Sequence, residues 1–273
     1  MQKNKKRPFG SVLMILMLVF FYLPILYMMV FSFNEGKSLT SFTGFSLRWY
    51  ENLFLYGGDL FDALRNTLTL ALISSVVSTV LGTVTAVGIF KMRSKWLKST
   101  VMSVTNIPMM NPEVVTGISM MLMFVFVGNL LNAANSVNFA TILIAHITFC
   151  LPYVILNVLP KLKQTDEHLT EAAMDLGCSP IQAFFKAVLP SITPGIIVGF
   201  IMSFTLSLDD FVISYFTNGT YQTLPLLIYS MTRKPMKPDV YALESIMFLI
   251  ILVLMILLNI IQSDDNKVKG ARK

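Results

Sequence analysis

Four carboxylates lie in or at the edge of long apolar segments of this chain: Glu113, Asp209, Asp210 and Glu244. A charge near the centre of a bilayer costs about 2.5–3.5 kcal/mol on insertion scales, so an acid at such a place needs a physical reason. One reason is a path for a cation, which carboxylates stabilise by charge attraction. Another is a structural role at a helix end, where an acid favours the helix dipole or accepts bonds from backbone N–H groups.

These two explanations divide the four acids. Glu244 lies near a predicted helix start, so we expect a structural role there. At 1.5 Å per residue along the predicted spans, Glu113 lies about 18 Å from the inner face, and Asp209 and Asp210 lie about 24 Å from it. We predict that these three acids line a polar path, with one alternative open: one of the two aspartates caps a helix break or bonds to a neighbouring helix.

Other residues fit the same path. Ser207 precedes Asp209 by two residues and adds a polar contact, and Trp49 offers cation–π attraction to a passing cation. Asn111-Pro112 interrupts helical bonding just before Glu113. Irregular backbone at membrane depth is tolerated where it lines protein or a wet cavity, which agrees with a path at this level.

The composition requires an apolar solvent. The chain has 273 residues, of which 55% are hydrophobic and 13% are charged, and its mean hydropathy is +0.68; a soluble domain has about 25% charged residues. Six apolar segments reach the length of about 20 residues that a helix needs to cross the hydrocarbon. We therefore predict an all-α, polytopic membrane protein with spans at about 10–33, 66–90, 101–127, 137–159, 192–217 and 241–261.

Basic residues predict the orientation. The 21 Lys and Arg residues lie outside the apolar cores, and the two termini with the loops on their side hold 15 of them against 6 on the other side. This bias predicts that both termini are cytoplasmic. It also explains the net charge of +6 by topology and contacts with anionic lipid, which argues against a nucleic-acid partner.

Motifs for enzymatic chemistry are missing from the sequence. It contains no Gly-rich phosphate loop with a lysine, no Ser/His/Asp arrangement and no His-Glu metal motif. Cys150 and Cys178 are predicted to be unpaired thiols, and His146 and His168 have no partner at metal-ligand spacing, so we expect both histidines to be structural. We predict no catalytic residue, no metal and no bound cofactor.

A polar loop at 165–190 separates the fourth and fifth predicted spans. Thr165 or Asp166 is the expected N-cap of a short helix that Gly177 ends in a left-handed conformation. Ser179-Pro180 then starts a second helix, with Pro190 and Pro194 expected to end it and to begin the fifth span.

The second helix has one apolar face, formed by Ile181, Phe184, Phe185 and Val188 at helical spacing. Two short helices that meet at a glycine suit a groove on a partner protein. The alternative is a loop that lies on the membrane surface.

The same loop resembles that of the binding-protein-dependent ABC transporter permeases, which are type I importer permeases of the MetI-like fold. The family pattern is matched by Glu171-Ala172-Ala173, Gly177 and Leu189-Pro190, while Ala187 departs from the usual isoleucine. Further segments resemble the second permease subunit of the spermidine/putrescine family: 42–50, 66–68, 106–108, 207–212 and 223–225.

The resemblance implies a permease subunit of a polyamine importer in a bacterial cell membrane. It implies pairing with a second, homologous permease, docking on two ATP-binding subunits that hydrolyse the ATP, and delivery of substrate by an extracellular polyamine-binding protein. The residues that it assigns to ATPase coupling are Glu171, Ala172, Ala173, Gly177, Leu189 and Pro190. Two alternatives stay open: the same architecture with a different substrate, and an ion-coupled secondary transporter that uses the same carboxylates.

Overall fold

The computed structural model describes residues 8–38, 40–132, 136–166, 168–232 and 240–250, together with 252, 253 and 256. The helices are α1 (Pro8–Phe31), α2 (Arg48–Tyr56), α3 (Gly58–Lys91), α4 (Lys95–Met110), α5 (Glu113–Leu130), α6 (Phe139–Gln164), α7 (Leu169–Asp175), α8 (Pro180–Ala183), α9 (Leu189–Asp209), α10 (Val212–Thr217), α11 (Leu224–Thr232) and α12 (Val240–Ile250), with a π-helical turn (Phe184–Val188) between α8 and α9. In this part of the chain the predicted all-α class is confirmed. Contacts divide the chain into two units, 1–61 with 230–273 and 62–229.

In the first unit, Asn34 organises the loop between α1 and α2. Its side chain is 1% exposed, accepts a hydrogen bond from the Thr43 backbone N–H (2.8 Å) and donates to the carbonyls of Ser38 and Ser41 (2.9 Å each). The indole N–H of Trp49 donates to the Asn34 carbonyl, which ties α2 to this loop. From Val12 to Val30, most apolar side chains of α1 are exposed, as expected for a helix whose solvent is lipid.

In the second unit, α6 is the central helix. One of its faces is buried over its whole length, from Ile142 near its start to Leu162 near its end. It packs most extensively against α9, and it also contacts α4, α5 and α10. A core cluster joins α6 to α3 and α9 through Ala86, Ile155, Val158 and Ile192.

Glycines allow α3 and α9 to approach α6 closely at one level. A Cβ atom added at Gly82 of α3 would lie 2.7 Å from the Val154 Cβ of α6, and one at Gly199 of α9 would lie 3.3 Å from the Val154 Cα. Small residues at such contacts are typical of membrane helices, which associate by close packing because lipid is as apolar as their side chains.

The third predicted span is not one continuous helix. α4 ends at Met110 and α5 begins at Glu113, with Asn111 and Pro112 between them in extended conformation. The break agrees with the predicted effect of Asn111-Pro112, since proline disfavours the α conformation of the residue before it. The predicted distance of about 18 Å between Glu113 and the inner face assumes one continuous helix. Because the helix is broken, this distance does not apply.

The prediction that Pro190 and Pro194 separate two elements is wrong. The helical path runs without interruption from Pro180 to Asp209. Pro190 lies at the first turn of α9, directly after the π-helical turn, and Pro194 lies inside the helix. A π turn shifts the hydrogen-bonding register locally, which lets the chain accommodate a proline without breaking.

The described residues include five helices that are long and apolar enough to cross a membrane: Val12–Phe31, Gly58–Lys91, Glu113–Leu130, Phe139–Gln164 and Pro180–Asp209. The sixth predicted span, 241–261, is represented by the shorter apolar helix α12, and most of its remainder lies outside the described residues. The fifth predicted span, 192–217, is interrupted after Asp209 and continues as α10.

Candidate functional site

The loop 165–190 forms two short helices that meet at Gly177. The end of α7 is a Schellman turn, in which the Cys178 N–H donates to the Ala173 carbonyl (3.1 Å) and the Gly177 N–H donates to the Met174 carbonyl (2.8 Å). Gly177 has a φ of +88°, a left-handed conformation that favours glycine. The predicted position of Gly177 in the loop is therefore confirmed.

Ser179 caps the second helix as predicted. Its hydroxyl accepts a hydrogen bond from the Gln182 N–H (3.4 Å), and the Gln182 side chain accepts one from the Ser179 N–H (3.1 Å), which completes a capping box. The predicted cap of the first helix is wrong by a few residues, because α7 begins only at Leu169. The Asp166 carboxylate instead accepts a hydrogen bond from the His168 N–H (2.9 Å) and forms a turn before the helix.

The predicted coupling residues occupy different environments in this loop. Glu171 is exposed and lies 3.0 Å from the Nδ1 atom of His168; Ala172 is exposed and Ala173 is half-buried. α7 packs against α8 and the π-helical turn, so the small side chains belong to a compact two-helix body. Leu189 packs on the core cluster of α3, α6 and α9, whereas Pro190 is exposed.

Large apolar side chains on this body are uncovered. Leu176 is 87% exposed, Ile181 is 73% exposed and Phe185 is 60% exposed. Exposed large apolar side chains beside polar loop residues are typical of a protein–protein or membrane contact.

The second loop helix is mechanically continuous with a candidate span. The stretch Pro180–Asp209 has 30 helical residues, a length of about 45 Å at 1.5 Å per residue. The residues of α8, the π-helical turn and α9 thus form one continuous helical rod, with the loop helix at one end and Asp209 at the other.

At that opposite end, two adjacent acids have different environments. Asp209 is the last residue of α9 and is exposed, whereas Asp210 is 8% exposed. The two carboxylate oxygens of Asp210 accept hydrogen bonds from the N–H groups of Ile213 (3.2 Å) and Ser214 (2.7 Å), in the first turn of α10. Asp210 therefore caps the break, in agreement with the alternative that the sequence left open.

A buried polar cluster surrounds this break. The Nδ1 atom of His146 lies 2.7 Å from the Ser207 hydroxyl, and its Nε2 atom lies 3.0 Å from the Ser214 hydroxyl. The Ser207 hydroxyl also bonds to that of Ser74 on α3 (2.9 Å) and is 2% exposed. The Ser207 hydroxyl is thus bonded to His146 and Ser74, and it is linked to Asp210 through His146. Because it is buried, it does not face an open path.

Sequence reasoning found no partner for His146. The available signal was a polar stripe in an apolar helix: Ser203 and Ser207 are one turn apart on α9, and Ser214 follows the break. Such a stripe requires a polar partner on a neighbouring helix because unsatisfied groups are costly in an apolar interior. Single-sequence spacing does not identify the partner, since His146 is 61 residues from Ser207.

The structure brings Glu113 to the same region. Its side chain is exposed in the first turn of α5, one helical turn before Gly117. At Gly117 α5 approaches α10 so closely that an added Cβ would lie 2.8 Å from the Phe216 ring. The carboxylates of Glu113 and Asp209 lie within electrostatic range of each other, and Glu113 is also within range of the Tyr153 hydroxyl.

Trp49 and Glu244 belong to the other unit. Trp49 is 4% exposed, and the Arg48 guanidinium lies over its ring, 5.6 Å from the centroid. Since the ring already has a cation and its indole N–H a carbonyl, Trp49 serves as an anchor of the loop between α1 and α2. Glu244 is half-buried and lines an apolar cavity of about 280 Å³ with Met28, Met29 and Phe248.

Two of the sequence segments that carry the resemblance are bonded to each other. The Asn66 side chain donates to the Gln222 carbonyl (3.0 Å), and the Leu224 N–H donates to the Thr67 hydroxyl (2.7 Å). Burial raises the pKa of Tyr221, with Arg65 opposing the shift, so this hydroxyl stays protonated and donates to the Asn66 carbonyl (3.0 Å). The start of α3 is thereby tied to the loop that follows α10.

Known proteins are similar in sequence to this chain along nearly its full length. The chain is 36% identical to the spermidine/putrescine transport system permease protein PotC of Shigella flexneri, over 92% of this chain and 92% of that protein. It is also 36% identical to the putrescine transport system permease protein PotI of Escherichia coli strain K12, over 88% of this chain and 86% of that protein.

Solved structures share the fold. A bacterial ABC transporter involved in the import of the acidic polysaccharide alginate has a chain that matches with a TM-score of 0.69 at 17% identity, over 95% of this chain and 96% of its own. An amino acid ABC transporter matches with a TM-score of 0.54 at 19% identity, over 79% of this chain and 98% of its own. The helical fold is that of ABC importer permeases, as the loop motif predicts.

The family itself is shown by the sequence match. The profile described as "Binding-protein-dependent transport system inner membrane component" matches residues 78–263, which include the two-helix loop, the helical rod and the capped break. The apolar helices and this match together show a membrane-embedded transport protein. The chain belongs to the family of binding-protein-dependent transport system inner membrane components.

Proposed function

We propose that this chain is a permease subunit of an ATP-driven importer of polyamines such as spermidine and putrescine, and that it forms half of the path. The observation that carries this proposal is the helical rod Pro180–Asp209, which joins the exposed loop helix to Asp209, an acid within electrostatic range of Glu113. Force applied at one end of this rod changes the position of a cation-binding group at the other. The names of the relatives at 36% identity supply the substrate class.

The charge distribution supports a cationic substrate. Asp209 and Glu113 are exposed carboxylates within electrostatic range of each other, which attract one molecule with several ammonium groups and repel anions. Asp210 and Ser207 are buried and bonded, so they hold the shape of the site, and Trp49 takes no part in the proposed path.

The exposed apolar side chains of the loop support a coupling role. Leu176, Ile181 and Phe185 are expected to dock in the groove of one of two ATP-binding subunits, which bind and hydrolyse the ATP. A second, homologous permease completes the path, and an extracellular binding protein delivers the polyamine. With the loop on the cytoplasmic side, both termini are cytoplasmic and Asp209 lies toward the outside.

Uptake in proteoliposomes tests this function. The chain is co-expressed with the second permease and the ATP-binding subunit of its transport system, and uptake of labelled spermidine is measured with the extracellular binding protein present and ATP enclosed. We expect uptake that requires hydrolysable ATP and that excess putrescine reduces. A matched vesicle with a non-hydrolysable ATP analogue is the control.

The same assay separates the alternatives. Uptake driven by an ion gradient without ATP would establish a secondary transporter. ATP-dependent uptake of an anion or a neutral solute in place of spermidine would establish the same architecture with another substrate.

A further inference from the structure

We propose that His146 is a positioning residue that fixes the angle between α9 and α10 and thereby sets where Asp209 presents its carboxylate. This inference rests on the proposed function for its transport consequence, but its geometry stands without it. His146 is 2% exposed and lies in the first third of α6. It touches neither exposed acid, so it acts only through the groups around the break.

His146 bridges the break between α9 and α10. Its Nδ1 atom contacts Ser207 on α9 (2.7 Å), and its Nε2 atom contacts Ser214 on α10 (3.0 Å). One rigid, planar ring therefore holds the two segments at one fixed separation. Asp209 lies between these two contacts in the chain, two residues after the first and five before the second.

The donors and acceptors around His146 indicate which ring nitrogen carries the proton. The Ser74 hydroxyl shares its one proton between the Ser207 hydroxyl (2.9 Å) and the Ala71 carbonyl (3.2 Å), and Ser207, as the acceptor of that bond, has its own proton for the Nδ1 atom of His146. A neutral ring that accepts at Nδ1 carries its proton at Nε2. That N–H group points to Ser214 and to the Asp210 carboxylate, which lies 3.4 Å away.

Apart from apolar packing, few hydrogen bonds of the described residues link the two sides of the break. Asp210 satisfies the N–H groups of Ile213 and Ser214, but it makes no contact back to α9 among the described bonds. Helix ends leave several backbone groups without intrahelical partners. Side chains must therefore hold the two segments together. Apolar packing of Phe149 and Cys150 reaches Leu206 and Ile213. Among the side-chain hydrogen bonds of the described residues, those of His146 reach both segments.

The direct test measures the exposure of position 209 without any substrate. In the assembled transporter, with Cys178→Ser as background, Asp209→Cys is labelled by a charged, water-soluble maleimide; Cys150 is buried and stays in place. His146→Phe fills the same space without hydrogen bonds. We expect it to change the labelling rate by about threefold or more, as loss of two hydrogen bonds predicts, while Leu55→Cys on α2 labels at an unchanged rate. An unchanged rate at position 209 would overturn the proposal.

Two conservative variants keep the test valid if His146→Phe does not assemble. His146→Asn places its amide near the Nδ1 position and retains the contact with Ser207, whereas His146→Gln reaches the Nε2 position and retains the contacts with Ser214 and Asp210. Each should restore part of the wild-type labelling rate relative to His146→Ala. If all three variants label position 209 at the wild-type rate, His146 does not position it.

Transport kinetics provide the readout that a general loss of stability would not give. We expect His146→Gln to raise the KM for spermidine about threefold or more at nearly constant maximum rate, and to have no further effect in an Asp209→Asn background. Equal effects in both backgrounds would contradict action through Asp209. If the wild-type transporter does not take up spermidine, the proposed function fails, whereas the labelling result still decides the geometry.

Discussion

Asp209 and Asp210 are adjacent in the chain but have opposite environments: Asp209 is exposed at the end of α9, and Asp210 is buried with both carboxylate oxygens bonded to N–H groups of α10. The backbone break lies at Asp210, so the two side chains leave the chain in different directions. The exposed acid is available to a cation, and the buried acid supports the backbone that carries it. The two residues have the same side chain, but Asp209 is accessible from outside the protein and Asp210 caps a helix.

Neutralising each aspartate should separate these functions. We expect Asp209→Asn to reduce spermidine uptake about tenfold or more, because a charge contact within a partly desolvated path contributes 1–3 kcal/mol. The amount of assembled transporter, measured by size-exclusion chromatography, should stay at the wild-type level. Wild-type uptake by this variant would remove Asp209 from the path.

Removing the helix cap at Asp210 should lower the stability of the permease. Asp210→Ala leaves two buried N–H groups without acceptors, which costs about 1–3 kcal/mol in the free energy of unfolding, and we expect a lower Tm of the purified permease. Asp210→Asn is the matched control, since its amide oxygen still accepts a hydrogen bond and should preserve most of the Tm. Equal Tm values for wild type and Asp210→Ala would show that the cap is not needed.

Local sequence signals predicted the junction of the two loop helices, although not the start of the first or the end of the second. Gly177 and Ser179 act within a few residues of themselves, through backbone conformation and short-range capping, so their roles are readable from a short window. The same holds for Asn111-Pro112, which interrupts a helix wherever the tertiary structure permits it. These predictions depended on bonds between near neighbours.

Contacts distant in sequence were beyond this reasoning. Asp210 is buried beside His146, which lies 64 residues earlier in the chain. The continuity through Pro190 depends on a π-helical turn, whose register shift has no simple sequence signature. Trp49 was expected beside a substrate, but its position is set by a loop that Asn34 organises.

Gly177 offers a test of coupling that separates conformation from size. A Cβ added there would meet nothing within 4 Å, so space is available, but the φ of +88° disfavours other residues. We expect Gly177→Val to distort the junction of α7 and α8, at a cost of about 1–2 kcal/mol, and to leave ATP hydrolysis that no longer drives uptake. Gly177→Asn is the matched control because asparagine tolerates this conformation. The measurement is the number of spermidine molecules transported per ATP hydrolysed.

A fully coupled Gly177→Val variant would count against a rigid junction. If Gly177→Asn were impaired as severely as Gly177→Val, side-chain volume in a partner groove would be the cause, and the conformational explanation would be wrong.

The exposed Leu176 tests the docking surface. Its side chain is 87% exposed, and burial of a leucine contributes about 1.5–3 kcal/mol, so Leu176→Asp should weaken binding of the ATP-binding subunit by tenfold or more. Co-purification of the ATP-binding subunit with the tagged permease measures this. Leu55→Asp is the matched control, since Leu55 is 72% exposed on α2, which the proposed topology places outside. Equal losses for both variants would point to general destabilisation.

Two glycines of α3 test the packing that carries force between helices. A Cβ at Gly82 would lie 2.7 Å from the Val154 side chain, whereas one at Gly88 would meet nothing within 4 Å. We expect Gly82→Ala to lower the free energy of unfolding by about 1–3 kcal/mol through overpacking, and Gly88→Ala to raise it by about 0.5–1 kcal/mol because alanine favours a helix interior. Thermal unfolding of the purified permease in detergent measures both changes as shifts in Tm.

The cause can be assigned by rescue within the same contact. Val154→Ala removes the methyl groups that an added Cβ at position 82 would strike, so the Gly82→Ala/Val154→Ala double variant should be more stable than the sum of the single changes predicts. The coupling should have a magnitude of about 0.5–3 kcal/mol, as for residues in direct contact. Strict additivity would mean that α3 does not approach α6 at Val154, and the close packing of α3, α6 and α9 would then have to be revised.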